Sequence, residues 1–457
     1  MKFNGLNVHR RGFLAGAAGV AGASLLTASP LGAMMGETAV RMRNFRERKF
    51  GMFVHWGPYS QASVEASWPI MVPRKDWAIS EKDYVGLAKT FNPVKFDPDE
   101  WLDLARGAGH KYMVFTTKHH DGYCMYDSKY TDYKITKSPY GKDIVKMLAD
   151  ACAKRDFPLG FYYSPPDLHH SGYRDTTRPS AETWHGQPER AEWSSYLDYM
   201  ELQLSELLTR YGKVETIWFD GLWGQEKYNG QRFVDLIARL QPDTTVNNRI
   251  GTEGDYGTPE QFVPEHIPRR GVNLTGTDPK RFAHLSRDIP TMDEFMDWES
   301  CMTINKTWAY NANDHEYKSA EHLIRSAVEI FSRGGNFLLN IGPRPDGTIQ
   351  PEFRERMEAM GKWMSVNGEA VYDTMFGPVQ NQPGYRTTAR QNEVFVHVLD
   401  WPNGTLNVPS WGRKIGRVQL LSDKRPLPFT QSDTGLTIDV SGVTSDAAAT
   451  VIKVTTL

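Results

Sequence analysis

Between residues 50 and 367, short apolar runs alternate with longer segments whose apolar positions recur every three or four residues. The runs Phe50–Gly57, Phe157–Ser164, Val214–Gly221, Thr244–Arg249, Asp297–Asn305 and Asn336–Gly342, with KYMVFTT inside His110–Gly122, have the length and bounding residues of strands. The segments Glu81–Phe91, Asp97–Gly109, Gly141–Arg155, Arg190–Tyr211, Gly230–Leu240, Tyr317–Arg333 and Glu352–Asn367 read as helices. Ile144, Val145, Leu148, Ala151 and Cys152 fall on one helical face, as do Trp193, Leu197, Met200, Leu204 and Leu208. Asp97 before Pro98 is a helix start, and Gly212 is a helix stop. Strand following helix following strand predicts a parallel sheet with helical crossovers. No Gly-x-Gly-x-x-Gly turn follows the first strand, which disfavours a dinucleotide fold. The strands end instead on His55, His119, Tyr162, Asp220 and Arg249. Polar residues at many strand ends suit the carboxyl-terminal face of a closed barrel. The expected fold is therefore α/β, a (β/α)8-like TIM barrel over residues 40–368.

The periodicity changes after about Val371. Short alternating runs, Glu393–Leu399, Arg417–Leu421, Leu436–Val440 and Thr450–Val454, are separated by Gly, Pro, Asn and Asp. They predict a C-terminal antiparallel β-sandwich over 371–457. Two stretches lack either period, Pro165–Glu189 and Gly251–Pro290, and loops of that length are usually functional. At the other end, His9-Arg10-Arg11-Gly12-Phe13-Leu14 precedes a small-residue apolar run, Ala15–Ala28. Residues 1–33 read as a twin-arginine export signal, too short and too rich in Ala and Gly for a membrane span. The expectation is a periplasmic or secreted protein with no stable membrane anchor after signal removal.

Composition narrows the partners. A net charge of −2 without like-charge blocks argues against nucleic acid. Cys124, Cys152 and Cys301 are odd in number and scattered, so they suggest free core thiols and no disulfide framework or zinc set. Aromatic residues make up 12% of the chain, which suits stacking on sugar rings.

Candidate chemistry centres on VETIWFDG, residues 214–221. Asp220 closes a buried strand beside Trp218, where a carboxylate is costly unless used or paired. Gly221 after it lets the backbone turn and leaves room for a ligand. The sequence has no HExxH, paired CxxC, P-loop or GxSxG. His119-His120-Asp121 and His169-His170 suggest a metal, but adjacent residues on an extended strand end are expected to point apart. The expectation is no metal and no cofactor. Two carboxylates cleaving a glycoside, with His, Arg and Trp holding hydroxyls and a ring face, account best for the groups available.

The ordered set FGMFVHWG, TTKHHDGY, FYYS, WFDG, VNNR, GTPEQ and NFLLNIGP resembles glycoside hydrolase family 29, the α-L-fucosidases, over about residues 45–370. The resemblance implies a barrel with a C-terminal β-sandwich and hydrolysis of terminal α-L-fucose with retention. It implies Asp220 as nucleophile and Glu260 as acid/base, with Glu299 the main rival and Glu253 and Glu265 further alternatives. It also implies that His55, His119, His120, Tyr162, Trp218 and Arg249 grip the sugar, with Glu65 and Trp68 in a first hydroxyl-binding loop. Trp218, Trp68 and Trp308 are expected to supply an apolar pocket for the fucose methyl group. The implied substrate is a fucosylated oligosaccharide or glycoconjugate. An α-L-galactosidase, a non-catalytic sugar-binding protein and a metal hydrolase remain as alternatives.

Overall fold

The computed structural model describes residues 40–457 except 75–76, 78, 222–223 and 283–285. The twin-arginine segment lies outside the described residues. Among the described residues, nine short strands fall in the first part of the chain: β1 (Phe50–Val54), β2 (Tyr112–Lys118), β3 (Leu159–Tyr163), β4 (Thr216–Phe219), β5 (Thr245–Val246), β6 (Thr258–Pro259), β7 (Thr275–Gly276), β8 (Glu299–Thr303) and β9 (Asn336–Ile341). Seven form one parallel sheet in the order β5-β4-β3-β2-β1-β9-β8. The sheet curls, and the β6 segment spans the gap between its edges. Single parallel bridges join Asn247 to Tyr256 on one side, and Gly257 to Trp298 and Glu260 to Cys301 on the other. The result is a (β/α)8-like barrel whose eighth stave is held by isolated bridges rather than a full ladder. Closure removes exposed sheet edges, which would otherwise be open to pairing with another chain.

Strand alternation divides the apolar residues into two sets. Phe53, Tyr112, Val114, Tyr162, Trp218, Cys301 and Leu338 cluster inside the barrel. Their sequence neighbours Met52, Met113, Phe161, Ile217, Phe219 and Leu339 belong to the larger core. A side-chain period of two puts every second residue of each strand inward and hands the others to the helices. The helices carry the capping residues their sequences offer. Asp97 accepts from the amides of Asp99 and Glu100, Asp143 from Lys146, and Ser319 from His322. Each such cap satisfies backbone donors that the first turn leaves without partners. At the amino end of the barrel, helical residues 40–48 push Met42 and Phe45 into the inner cluster, and Phe45 stacks on Tyr256 at 4.5 Å.

Several elements are shorter than the periodicity predicts. The helix expected over 81–91 is α-helical only for Glu81–Gly86 and tightens into a 3-10 turn at Leu87–Lys89. Strand five, expected over 244–249, is a two-residue strand followed by a turn. The stretch 251–290 contains β6 and β7, paired in parallel with Thr258 opposite Thr275.

The C-terminal residues form two antiparallel sheets. One has five strands in the order Met375–Phe376, Tyr385–Arg390, Glu393–Val398, Thr450–Thr456, Ile415–Leu420. The other orders Thr405–Pro409, Gly435–Asp439, Phe429–Ser432. Val396, Val398, Leu406, Val408, Ile438, Ile452 and Val454 fill the space between them. Among the described residues, no helix is long and apolar enough to cross a membrane.

Candidate active site

A cavity of about 170 Å³ opens at the carboxyl-terminal mouth of the barrel. Phe53, His55, Trp68, His119, Trp218, Asp220, Arg249, Glu260, Thr277 and Trp308 line it. Asp220 follows β4, and Gly221 stands where a Cβ would meet the Pro165 ring at 3.1 Å and the Arg249 carbonyl at 3.3 Å. A side chain there would have to displace one of them, so the tight passage favours glycine.

Arg249 ties the two cavity carboxylates together. Its Nη1 lies 3.0 Å from Asp220 Oδ1 and 3.0 Å from Glu260 Oε2. Those oxygens are therefore separated by at most twice that distance. The guanidinium is itself fixed, donating to Thr258 Oγ1 at 2.7 Å and the Thr258 carbonyl at 3.1 Å, with its plane over the Trp218 ring at 4.5 Å. Tyr162 donates to Asp220 Oδ2 at 2.8 Å. A guanidinium can only donate, so Oε2 of Glu260 accepts, and a proton on Glu260 is left to Oε1.

The two carboxyls are pushed in opposite directions. Burial would raise Asp220, but Arg249, His120 and the Tyr162 hydroxyl outweigh it and hold Asp220 below the usual range. Burial also raises Glu260. Arg249 pulls it back, Asp220 adds repulsion, and the outcome is a raised value. The environment thereby favours the ionised form of Asp220 and the protonated form of Glu260, the direction of divergence that paired-carboxylate chemistry requires.

Three histidines surround the pair, each held through Nδ1. His55 meets Asn340 Oδ1 at 2.7 Å, and the Asn340 amide nitrogen donates to the Trp308 carbonyl at 2.7 Å, which fixes the flip of the amide. His55 Nδ1 must therefore carry the proton. His120 meets Ser164 Oγ at 2.6 Å, and Ser164 donates its only proton to the Pro166 carbonyl at 2.7 Å, so His120 Nδ1 is also a donor. His119 meets Ser67 Oγ at 2.6 Å. Burial presses His55 and His120 down to about 4 and His119 well below its ordinary value, so all three rings are neutral near pH 7.

Most of the expected site residues converge, and some do not. Glu65 is buried beside the cavity, but both its oxygens accept from the Trp308 amide at 2.9 and 3.0 Å, so it holds the Trp308 loop. Burial raises it to about 8, against that backbone hydrogen bond. Glu299 is at the amino end of β8, below the cavity, where Tyr112 and Trp218 donate to it, Trp218 at 3.0 Å. As an alternative acid/base it is misplaced, because it faces inward at the start of β8, at the end of the barrel opposite the cavity. Glu253 and Glu265 are exposed and line no part of the cavity. Asp121 is buried against the Tyr84 hydroxyl at 2.9 Å, and His169 stacks on Tyr133 at 4.0 Å. The expectation that His119 and His120 point apart is also corrected. Their rings are 4.2 Å apart, because β2 shifts register against β3 between Thr116 and Lys118 and the extended alternation ends there. Sequence reasoning missed Phe53, Thr277 and the residues that hold the histidines, Ser67, Ser164 and Asn340. Asn340 was within reach of strand alternation, as it lies two residues beyond inward-facing Leu338. Thr277 sits on an exposed loop with no period to reveal it.

The alpha-L-fucosidase family pattern matches residues 35–369. The chain is 30% identical to an alpha-L-fucosidase of Branchiostoma floridae, with 88% of this chain and 89% of that one covered. It is also 30% identical to the plasma alpha-L-fucosidase of Homo sapiens, over 88% of this chain and 86% of the relative. Among solved structures, alpha-L-fucosidase isoenzyme 1 from Paenibacillus thiaminolyticus superposes with a TM-score of 0.80 at 31% identity, covering 92% of this chain and 100% of that one. A family 29 fucosidase from Bacteroides thetaiotaomicron, trapped as a covalent intermediate with 2-fluoro-fucosyl fluoride, gives a TM-score of 0.76 at 27% identity, with 92% and 96% covered.

Proposed function

This chain belongs to the alpha-L-fucosidase family, and from that premise we propose how its own carboxylates divide the reaction. The enzyme is a glycoside hydrolase that releases fucose, and the trapped intermediate of its Bacteroides relative is consistent with retention. Asp220, ionised and anchored through Arg249 and Tyr162, attacks the anomeric carbon and forms a glycosyl-enzyme ester. Glu260, protonated on Oε1, gives its proton to the departing oxygen, then takes one from the water that cleaves the ester. The observation that carries this assignment is the shared Arg249 nitrogen at 3.0 Å from each carboxylate. The upper bound that this puts on their separation is compatible with the roughly 5–5.5 Å that retention needs.

The surrounding groups fit one sugar ring. His55, protonated at Nδ1, presents Nε2 as an acceptor to a sugar hydroxyl when neutral, and His120, held the same way, turns Nε2 toward Asp220 at 3.6 Å. Phe53, Trp68, Trp218 and Trp308 give an apolar wall for the C6 methyl group. The reaction uses no metal and no cofactor, so full activity is expected in EDTA. The substrate is a terminal α-L-fucosyl residue on an oligosaccharide or glycoconjugate. The RRGFL segment supports export of the folded protein to the periplasm or beyond. Fusion of residues 1–40 to a reporter tests that: loss of export on replacing Arg10 and Arg11 by Lys is expected, and unchanged export would refute it.

The deciding experiment is Asp220→Gly assayed on an aryl fucoside. Removal of the nucleophile is expected to lower kcat about 10^3–10^4-fold. Azide, small enough for the vacated space, is expected to restore turnover and yield a fucosyl azide. A folded Asp220→Gly protein with near-normal activity would end the assignment.

A further inference from the structure

The hydrolysis uses His119, His120 and Asp220 as hydrogen-bonding and nucleophilic groups, but their geometry allows something more. One ring nitrogen of each histidine and one carboxylate oxygen of Asp220 lie within 4.8 Å of one another. His120 Nε2 is 3.6 Å from Asp220 Oδ2. Two ligands of a tetrahedral zinc ion, each at about 2.0–2.1 Å, stand roughly 3.3 Å apart. That pair needs only a few tenths of an ångström to close on a metal, and His119, its ring 4.2 Å from that of His120, needs a modest swing. Both imidazoles are held at Nδ1 by serine hydroxyls, Ser67 and Ser164, at 2.6 Å. Such hydrogen bonds orient metal-ligating histidines and fix which nitrogen coordinates. A fourth position would face the cavity.

We propose that His119, His120 and Asp220 form an inhibitory site for a zinc-class divalent ion, which competes with fucose for the same three groups. Two imidazoles and one carboxylate suit zinc and copper, whereas magnesium and calcium require a larger set of oxygens. The Arg249 guanidinium, 3.0 Å from the other oxygen of Asp220, opposes a second cation and limits the affinity. The buried state of Cys124, Cys152 and Cys301 removes thiols as easy competing ligands.

Two readouts test this on the full-length protein. In the activity assay, about 100 µM zinc chloride is expected to raise the apparent KM about tenfold with kcat unchanged, and EDTA to reverse it. The same concentration of magnesium is expected to do nothing. Independently of turnover, Co2+ is expected to give the visible absorption of a four-coordinate site, which saturating L-fucose abolishes. His119→Gln and His120→Gln, each checked for an unchanged thermal transition, are expected to lose that absorption. Failure of Co2+ and zinc to bind below about 1 mM would overturn the proposal, as would binding indifferent to fucose or undiminished in both variants. Because absorption is read without substrate, it stands apart from the assignment of the hydrolytic residues.

Discussion

At the scale of single residues, the site is governed by one cation shared between two acids. Asp220 and Glu260 are both part-buried carboxyls facing the same Arg249 nitrogen, yet they differ in what else reaches them. Asp220 accepts in addition from the Tyr162 hydroxyl and feels the charge of His120 once that ring is protonated, and Glu260 has neither. The sign of each shift follows from that difference. The pH dependence of kcat/KM should therefore be bell-shaped. Its acidic limb belongs to Asp220, below the ordinary carboxylate range, and activity is lost there as pH falls and the nucleophile is protonated. Its basic limb belongs to Glu260, above the ordinary range, and activity is lost there as pH rises and the acid loses its proton. Glu260→Gln cannot donate a proton, so on an aryl fucoside whose leaving group needs little help it is expected to keep its first step and lose the basic limb. A basic limb that persists unchanged in Glu260→Gln would assign the acid elsewhere. At this scale the sequence exposed the residues whose position is periodic. Asp220, Trp218, Tyr162 and His55 end apolar strands, and a strand end at the carboxyl face has one place to go. Glu299 misled because it too is polar and inward-facing; only its position at the start of β8, not the end, separates it from a site residue. Motif resemblance, not periodicity, identified Glu260.

Among elements, the staves and their crossovers were legible, and the closing stave was not. A five- to seven-residue apolar run between two amphipathic helices has few alternatives, and β1, β2, β3 and β9 fall inside the expected runs. The β6 segment holds its place through Thr258–Pro259, three lone bridges and the Glu260 amide, which donates to the Gly276 carbonyl at 2.9 Å. It has no apolar alternation because tertiary closure, not its own composition, makes it a strand. Helix packing carries a similar local constraint. On the Pro351–Asn367 helix, a Cβ at Gly361 would lie 2.0 Å from the carbonyl oxygen of Gly107, at the end of the Pro98–Gly107 helix. Gly361→Ala should gain about 1 kcal/mol in helix propensity. It must also force two backbones apart, an overpacking that costs about 1–3 kcal/mol or more when the obstructing atom is backbone. With a backbone oxygen only 2.0 Å away the cost falls at the upper end of that range, about 3 kcal/mol, so urea unfolding is expected to show a net loss of about 2 kcal/mol. A stabilised Gly361→Ala would mean that the helices can separate without penalty.

For the whole molecule, the sandwich is more than an appendage, because its five-stranded sheet completes the core beneath the last barrel helices. Phe395, Leu421, Ala449 and Val451 pack in the same apolar cluster as Phe331, Phe353 and Met357. Trp363 donates from its indole to the Ala449 carbonyl at 2.8 Å, and Arg386 joins Glu329 across the boundary at 2.8 Å. His397 sits at this junction, fully buried, with Nε2 2.9 Å from Thr388 Oγ1 and its ring 6.4 Å from that of Trp363. Burial lowers it to about 4, so it is neutral when folded. As pH falls below about 6.5, the unfolded chain takes up a proton that the folded one refuses until about 4. Stability is therefore fully present above pH 6.5 and is lost through this window, by about 3 kcal/mol for a shift of this size. The buried neutral histidines of the barrel add in the same direction: His55 and His120 are also near 4, and His110 is near 3. Calorimetry at pH 7 is expected to show one cooperative transition for barrel and sandwich together, moving to lower temperature as pH falls from 6.5 to 4.5. His397→Gln, which has no such proton to refuse, is expected to flatten that descent. Two separate transitions at pH 7 would refute the shared core, and an unaltered slope in His397→Gln would remove this histidine from the linkage.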